Sequence, residues 1–282
     1  MTEKDLRQLQ KTELSILNDV VELCKKNKIR YFLSGGTLLG AVRHQGFIPW
    51  DDDIDIDMPY EDYLRFLQIA PSEFSEKYFV QTYETDDNFQ RAHAKVRLNN
   101  TTLLEKDLRK YYIHQGIWID VFPLAYINKG MDRKIKKMIL SISNFCQAEN
   151  YVNASKEEMQ KTVGRFGMKL LNIYYRLFSE KTRKKQHRFL LKMIFVKSDH
   201  KTYITEVWAG ITRLWPRSTF EGVPTKISFE GFLYNAPPDW DTYLKIPYGD
   251  YMKLPPVEEQ VNHNISIVDF EKDYSEYLEY DR

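Results

Sequence analysis

Between residues 5 and 28 the apolar positions Leu6, Leu9, Leu14, Leu17, Val20, Val21 and Cys24 return at steps of three and four, separated by charged residues. That spacing predicts an amphipathic helix with one face on a sheet. Residues 29–33 form a short β-leaning run, Ser34-Gly35-Gly36-Thr37 interrupts it, and a helical pattern resumes through His44. The order is strand, glycine turn, helix. After a loop marked by Gly46, Pro49 and Trp50, Ile54 and Ile56 alternate with Asp53, Asp55 and Asp57. Period two is the signature of a strand with one buried face, and the aspartates share the other.

Farther on, Tyr60 opens a helical stretch, and strands are predicted over 78–83 and 94–98. In 117–122, Ile117, Ile119 and Val121 alternate with Trp118, Asp120 and Phe122, so one acidic residue stands in an otherwise apolar strand. Residues 131–198 read as two or three basic amphipathic helices, and the chain from Tyr203 returns to short strands and turns, with a compact loop and short helix over 237–256. The mixture indicates an α+β chain.

Composition narrows the class. A chain of 282 residues can bury a substantial core, and 14% aromatic residues argue against disorder. The two cysteines, Cys24 and Cys146, have no metal or disulfide spacing and are read as reduced thiols. The amino terminus has no apolar segment of a signal peptide, and no apolar run is long enough to span a bilayer. A cytoplasmic location is the expectation. Net charge is +1, yet residues 128–201 hold eighteen Lys/Arg against six Asp/Glu. A solvated face, docking on anionic lipid at the inner face of the membrane, and nucleic-acid binding are the three readings of that stretch. The last lacks any recognition motif, so no nucleic-acid partner is expected.

Five of the seven residues 51–57 are aspartates. Clustered carboxylates repel each other and expect a cation. Strand residues at i and i+2 have Cα atoms about 6.6 Å apart on one face, within reach of one hard divalent ion or a pair. Asp53 and Asp55 fit best, and Asp120 on a neighbouring strand would complete the set, as in two-metal phosphoryl transfer. The glycine turn adds backbone N–H groups at a helix start, where Gly35 and Gly36 put no Cβ before a phosphate and Ser34 and Thr37 add hydroxyls. It lacks the spacing of a Walker loop or a dinucleotide fingerprint.

The stretch "FLSGGTLLGAVRHQGFIPWDDDIDI", with "HAKVRLNNTTLLE", "GIWIDVFPL" and "YGDYMKLPP" after it, resembles the signature of the LicD family, the phosphocholine transferases of bacterial surface polysaccharides related to fukutin-type ribitol-phosphate transferases. The likeness runs from about Leu14 to His263 and is blank over 131–235. It implies a nucleotidyltransferase-like mixed sheet flanked by helices, with a basic helical insertion. On that reading residues 1–128 are the catalytic core, 129–202 the basic region for acceptor or membrane docking, and 203–282 the part that completes the site. The implied reaction moves a phospho-alcohol, foremost phosphocholine, from a CDP-linked donor to a sugar hydroxyl of a glycan or lipid-linked glycan such as a teichoic acid or lipopolysaccharide precursor, with Mg²⁺ or Mn²⁺. The family pattern maps metal and catalytic roles onto Asp53, Asp55 and Asp120, and donor-charge neutralisation onto Arg43, Lys95 and Arg97. Asp51 and Asp57 match it less closely.

Other readings compete. An acidic run can be a solvated surface, but the isoleucine alternation and glycine turn oppose this. The spacing of residues 51–62 resembles an EF-hand loop, yet Ile56 stands where that loop needs glycine. A glycosyltransferase using an Asp-x-Asp site is the enzymatic alternative, and an idle metal-binding scaffold the non-enzymatic one. For a choline head group, Tyr83, Tyr111, Tyr112, Trp118, Trp208 and Trp215 are all candidates for an aromatic cage.

Overall fold

Thr2 and Asp5 form a capping box that starts helix α1 (Glu3–Lys26), each side chain accepting the other residue's backbone N–H. The computed structural model describes residues 1–89, 91–106, 112–146, 167, 169, 170, 172–195, 200–207, 210–260, 262 and 265–278. Helix α1 buries Leu9, Ile16, Leu17, Val20, Leu23 and Cys24 on one stripe, as the spacing predicts. Burial pushes the Cys24 thiol up to about 12, which leaves it an inert core group. The candidate cage residues Tyr111 and Trp208, His263 at the end of the likeness, and the Cys146 side chain fall outside the described residues.

Strand β1 (Phe32–Leu33) runs straight into helix α2 (Gly35–His44), and β2 (Asp55–Pro59) into helix α3 (Tyr60–Phe74). With β3 (Tyr78–Gln81), β4 (Ala94–Leu98) and β6 (Trp118–Ile127) they form a mixed sheet in the order β1-β2-β6-β4-β3. Strand β5 (Thr102–Glu105) instead pairs antiparallel with β11 (Ile265–Asp269) in a separate ribbon. Among the described strand pairs, β2 and β6 are parallel and the others antiparallel. The expected strand over Asp53–Asp57 begins at Asp55, so Asp53 belongs to the loop before it.

Strand β6 carries two layers of structure along its ten residues. Its first half pairs with β2 and β4, and its second half with β7 (Tyr203–Glu206), which in turn pairs with β8 (Trp215–Pro216). Helix α4 (Met131–Cys146) and helix α5 (Glu180–Ile194) pack on that second half, with Ala125, Ile127, Leu140, Leu191, Ile194 and Phe195 in one cluster. Lys136 Nζ ties them together by donating to the carbonyls of Tyr126 on β6 and Ile194 on α5. Of the basic helices expected over 131–198, the described α4 and α5 are docked on the sheet, α4 through its buried Lys136 and Leu140 and α5 through Leu191 and Ile194.

A hairpin of β9 (Thr225–Phe229) and β10 (Phe232–Ala236), followed by helix α6 (Trp240–Tyr248), closes the other flank. Trp215 is fully buried and stacks on Tyr243 of α6 at 5.0 Å, so it belongs to the core and not to a head-group pocket. Helix α2 lies so close to the following loop that a Cβ on Gly40 would stand 2.5 Å from the Gly46 carbonyl oxygen. Backbone cannot yield as a side-chain tip can. Gly40→Ala is expected to cost about 1–3 kcal/mol by urea unfolding, and wild-type stability in that variant would show that α2 can move off the loop.

Candidate active site

The parallel pairing of β2 with β6 sets Asp55 directly beside Asp120, and the antiparallel pairing of β6 with β4 sets Asp120 beside Lys95. Three charged residues thus stand in one row across adjacent strands, which lie about 4.8 Å apart. Asp53 joins from the loop: one carboxylate oxygen each from Asp53, Asp55 and Asp120 lies within 4.8 Å of the other two. The sequence-predicted trio is brought together.

Its electrostatics follow from burial and neighbours. Asp55 is pushed well above the usual carboxylate range, first by burial and then by the charges of Asp53, Asp120 and Asp51. Asp120 goes the other way. Burial alone would raise it, but Lys95 and His93 hold it far below the ordinary value. Lys95 Nζ lies 2.8 Å from Asp120 Oδ2, the Trp118 indole N–H donates to the same oxygen at 3.2 Å, and His93 Nε2 lies 3.1 Å from Oδ1. Asp120 is therefore a fixed anion, its Oδ2 held by Lys95 and Trp118 and its Oδ1 facing His93. A hard cation suits this donor set: three carboxylate oxygens converge, and the neighbouring carboxylates raise the cost of charging Asp55. His93 itself is lowered to about 4, mainly by burial, and is neutral near pH 7. In the sequence nothing marks His93 beyond its place at the start of the block HAKVRLNNTTLLE.

The glycine pair has a second role beside the expected one. Gly35 has φ +51°, in the left-handed region, and a Cβ there would stand 2.7 Å from Asp55 Oδ2. A Cβ on Gly36 would stand 2.6 Å from Asp51 Oδ2. Both glycines make room for carboxylates. Thr37 is used inward: its hydroxyl accepts the Asp55 N–H at 2.8 Å and fixes the start of β2. Ser34 is buried under the turn, where its backbone N–H donates to the Asp55 carbonyl at 3.1 Å.

Beneath the turn, the Tyr243 hydroxyl accepts the Gly35 N–H at 3.1 Å and donates to Glu206 Oε1 at 2.8 Å, with Asp57 Oδ2 3.2 Å away. Asp57 is fully buried in this group and stands apart from the converging trio. Tyr243 and Glu206 carried no sequence signal of their own, since α6 and β7 reach the turn only in the folded chain.

The three basic residues expected at the donor's phosphates have other bonds. Lys95 holds Asp120. Arg97 is buried, donates to Gln81 Oε1 and to the Gly116 carbonyl at 2.9 Å, and covers the Trp118 ring at 4.7 Å; burial lowers it to about 10, still protonated near neutrality. Arg43 is half-buried and donates to the carbonyls of Tyr251 (3.0 Å) and Lys253 (3.3 Å), fastening the 248–256 loop to α2.

Residues 28–141 match the family model described as "LicD/FKTN/FKRP, nucleotidyltransferase domain". The lipopolysaccharide cholinephosphotransferase LicD of Haemophilus influenzae is 33% identical over 272 residues, covering 94% of this chain and 98% of that protein. The human ribitol 5-phosphate transferase FKRP is 34% identical over 110 residues, 36% of this chain and 21% of its own length. A yeast protein named mannosyltransferase regulator 4 is 23% identical over 171 residues, covering 56% of this chain and 14% of that protein.

Two substitutions separate the glycines' steric role from a purely backbone one. Gly36→Ala, where φ is ordinary, should displace Asp51 and lower divalent-ion affinity roughly tenfold or more, read by calorimetry with Mn²⁺. Gly35→Ala should cost about 1–2 kcal/mol in stability for its left-handed backbone as well, read by thermal melting. Unchanged ion affinity in both variants would refute the space-making role.

Proposed function

The chain belongs to the LicD family, and from that premise we propose that it moves a phospho-alcohol, foremost phosphocholine from CDP-choline, onto a sugar hydroxyl of a cell-surface polysaccharide, teichoic acid or lipopolysaccharide precursor. One observation carries the reading: strand register sets Asp55 against Asp120 with Asp53 converging on them, in a chain that matches a cholinephosphotransferase over nearly its whole length.

In this reading Asp53, Asp55 and Asp120 hold Mg²⁺ or Mn²⁺, which when bound offsets the diphosphate's negative charge and the charge that develops on the departing CMP. The side chains supply the rest. Lys95 and His93 keep Asp120 ionised and fixed in orientation, so that its Oδ1 can accept a hydrogen bond from the acceptor hydroxyl and aim it at phosphorus. Phosphoryl transfer of this kind asks more for positioning than for a strong base, which suits a carboxylate held so far below neutrality. The Gly35-Gly36 turn, pinned from below by Tyr243, keeps side-chain bulk away from the carboxylates. Trp118, the candidate cage aromatic beside the site, is buried with Lys95 and Arg97 on its ring at 4.1 and 4.7 Å, so its face is already taken by the protein's own cations.

The site is proposed to work at the inner face of the cytoplasmic membrane. No described helix is long and apolar enough to cross a bilayer. On α4, however, Met131, Ile135, Met138 and Ile142 are 68%, 44%, 56% and 46% exposed at steps of four, three and four, opposite the buried Lys136, Leu140 and Ser143. Lys134 and Lys137 border the stripe. Apolar side chains flanked by lysines suit the headgroup region of anionic lipid, where each lysine contributes about 1 kcal/mol.

Two measurements test these readings. Purified protein incubated with CDP-choline, a sugar acceptor and Mg²⁺ should release CMP, EDTA should stop it, and Asp55→Asn should lower turnover by at least roughly a hundredfold; turnover with UDP-sugars in place of CDP-alcohols would favour the glycosyltransferase. Sedimentation with phosphatidylglycerol vesicles should be salt-sensitive and should weaken roughly tenfold when Ile135, Met138 and Ile142 are all changed to Gln. Absence of co-sedimentation would remove the membrane contact, and equal binding to neutral vesicles would remove the role of the lysines.

A further inference from the structure

Two main-chain bonds decide where Asp55 stands. The Thr37 hydroxyl accepts its N–H at 2.8 Å, and its carbonyl accepts the Ser34 N–H at 3.1 Å. Both partners belong to the turn that opens α2, so the Asp55 backbone is held wherever residues 34–37 are held. The same turn confines its carboxylate, since a Cβ on Gly35 would stand 2.7 Å from Oδ2. Whatever moves the turn moves this carboxylate.

The turn itself is held by a side chain 208 residues farther along the chain. Gly35, between Ser34 and Thr37, donates its N–H to the Tyr243 hydroxyl at 3.1 Å, so an N–H expected at a donor phosphate is engaged inside the protein. That hydroxyl also donates to Glu206 Oε1 on β7 at 2.8 Å and lies 3.2 Å from Asp57 Oδ2 on β2, two residues beyond Asp55. A buried tyrosine needs only one partner for its O–H. This one meets three elements, α2, β2 and β7, and two of its contacts flank Asp55. The side chain has little freedom of its own: it is 1% exposed, its ring lies parallel to that of Trp215 at 5.0 Å, and its main-chain carbonyl accepts the Trp215 indole N–H at 3.0 Å. Farther along the same segment, the Tyr251 and Lys253 carbonyls accept from Arg43 near the other end of α2. Residues 243–253 thus grip α2 at both ends.

We propose that Tyr243 is a positioning residue of the transfer reaction: through Gly35 and Asp57 its hydroxyl sets the place of Asp55 for the divalent ion, and Glu206 orients that hydroxyl by accepting its proton's hydrogen bond. Its action runs through the turn, beneath which the ring is buried. The role rests on Asp55 being a ligand of the ion, as in the transfer reading, and extends that reading by giving α6 a share in ion affinity and not in stability alone. Partners that orient a metal-binding group without touching the metal typically change affinity or activity by about 10–100-fold when removed.

Tyr243→Phe keeps the stack on Trp215 and removes the hydroxyl. Well below its melting transition, and with folding confirmed by circular dichroism, its Mn²⁺ affinity should fall roughly tenfold or more, with the free ion followed by electron paramagnetic resonance. Its Gly35 amide should exchange with deuterium faster than in wild type. Glu206→Gln, whose amide oxygen can accept the same hydrogen bond, should keep most of the wild-type affinity, whereas Glu206→Leu should lose it as Tyr243→Phe does. Should Tyr243→Phe misfold, the comparison of Glu206→Leu with Glu206→Gln takes its place. Wild-type affinity in folded Tyr243→Phe, or equal loss in the two Glu206 variants, overturns the positioning role. If Asp55→Asn loses affinity and Tyr243→Phe does not, the transfer reading stands and this role falls; unchanged affinity in Asp55→Asn removes both.

Discussion

The structure depends on what it costs to place Asp55 against Asp120. Parallel register between β2 and β6 leaves the two no choice of neighbour, and unit charges at such a separation repel by roughly 3 kcal/mol even at an effective dielectric constant of about 20. The fold answers on one side only. Lys95, one strand farther along the same row, neutralises Asp120, and His93 and Trp118 complete its shell. Among the described residues no cation pairs with Asp55, and burial together with the neighbouring carboxylates raises its proton affinity. A site built this way is asymmetric: Asp120 is settled by its neighbours, while Asp55 carries a raised proton affinity.

The glycine turn extends the same logic to sterics. Carboxylates that must converge need the space around them free of side chains, and the two glycines face Asp55 and Asp51 at distances that no Cβ could share. Anchoring comes from the surrounding elements: Thr37 holds the start of β2, Tyr243 of α6 holds the Gly35 N–H, and Arg43 holds the carbonyls of the 248–256 loop. Segments distant in sequence are thus tied to the turn and to helix α2 by one or two hydrogen bonds each.

Much of this was legible in the sequence, and for identifiable reasons. Period-two alternation around Asp55 and Asp120 marked both as residues on pleated strands, the apolar stripe of α1 marked its buried face, and the motif blocks pointed to the family that the comparisons support. The pairing partner of each strand was not legible, because register is set by the whole sheet. Lys95 and Arg97 show the consequence. Both were expected to meet donor phosphate, and both are buried cations bonded within the protein, which only the β3-β4-β6 pairing reveals. His93, Tyr243 and Glu206 were missed for the same reason, since each acts through a partner far away in the chain. The start of β2 at Asp55 also shows the limit of alternation: Asp53 continues the pattern in sequence but lies outside the ladder.

Strand β6 runs unbroken from Trp118 to Ile127, with Asp120 near one end and the seat of the basic helices at the other. Seven residues of extended chain span roughly 23 Å, with no bulge or bend in its recorded pairings to take up slack. The strand is a rigid standoff: if α4 rests on a surface, the reacting oxygen of the acceptor must be presented at a height fixed by that length, and an acceptor glycan is gauged by how far it reaches from its anchor as well as by which sugar it ends in.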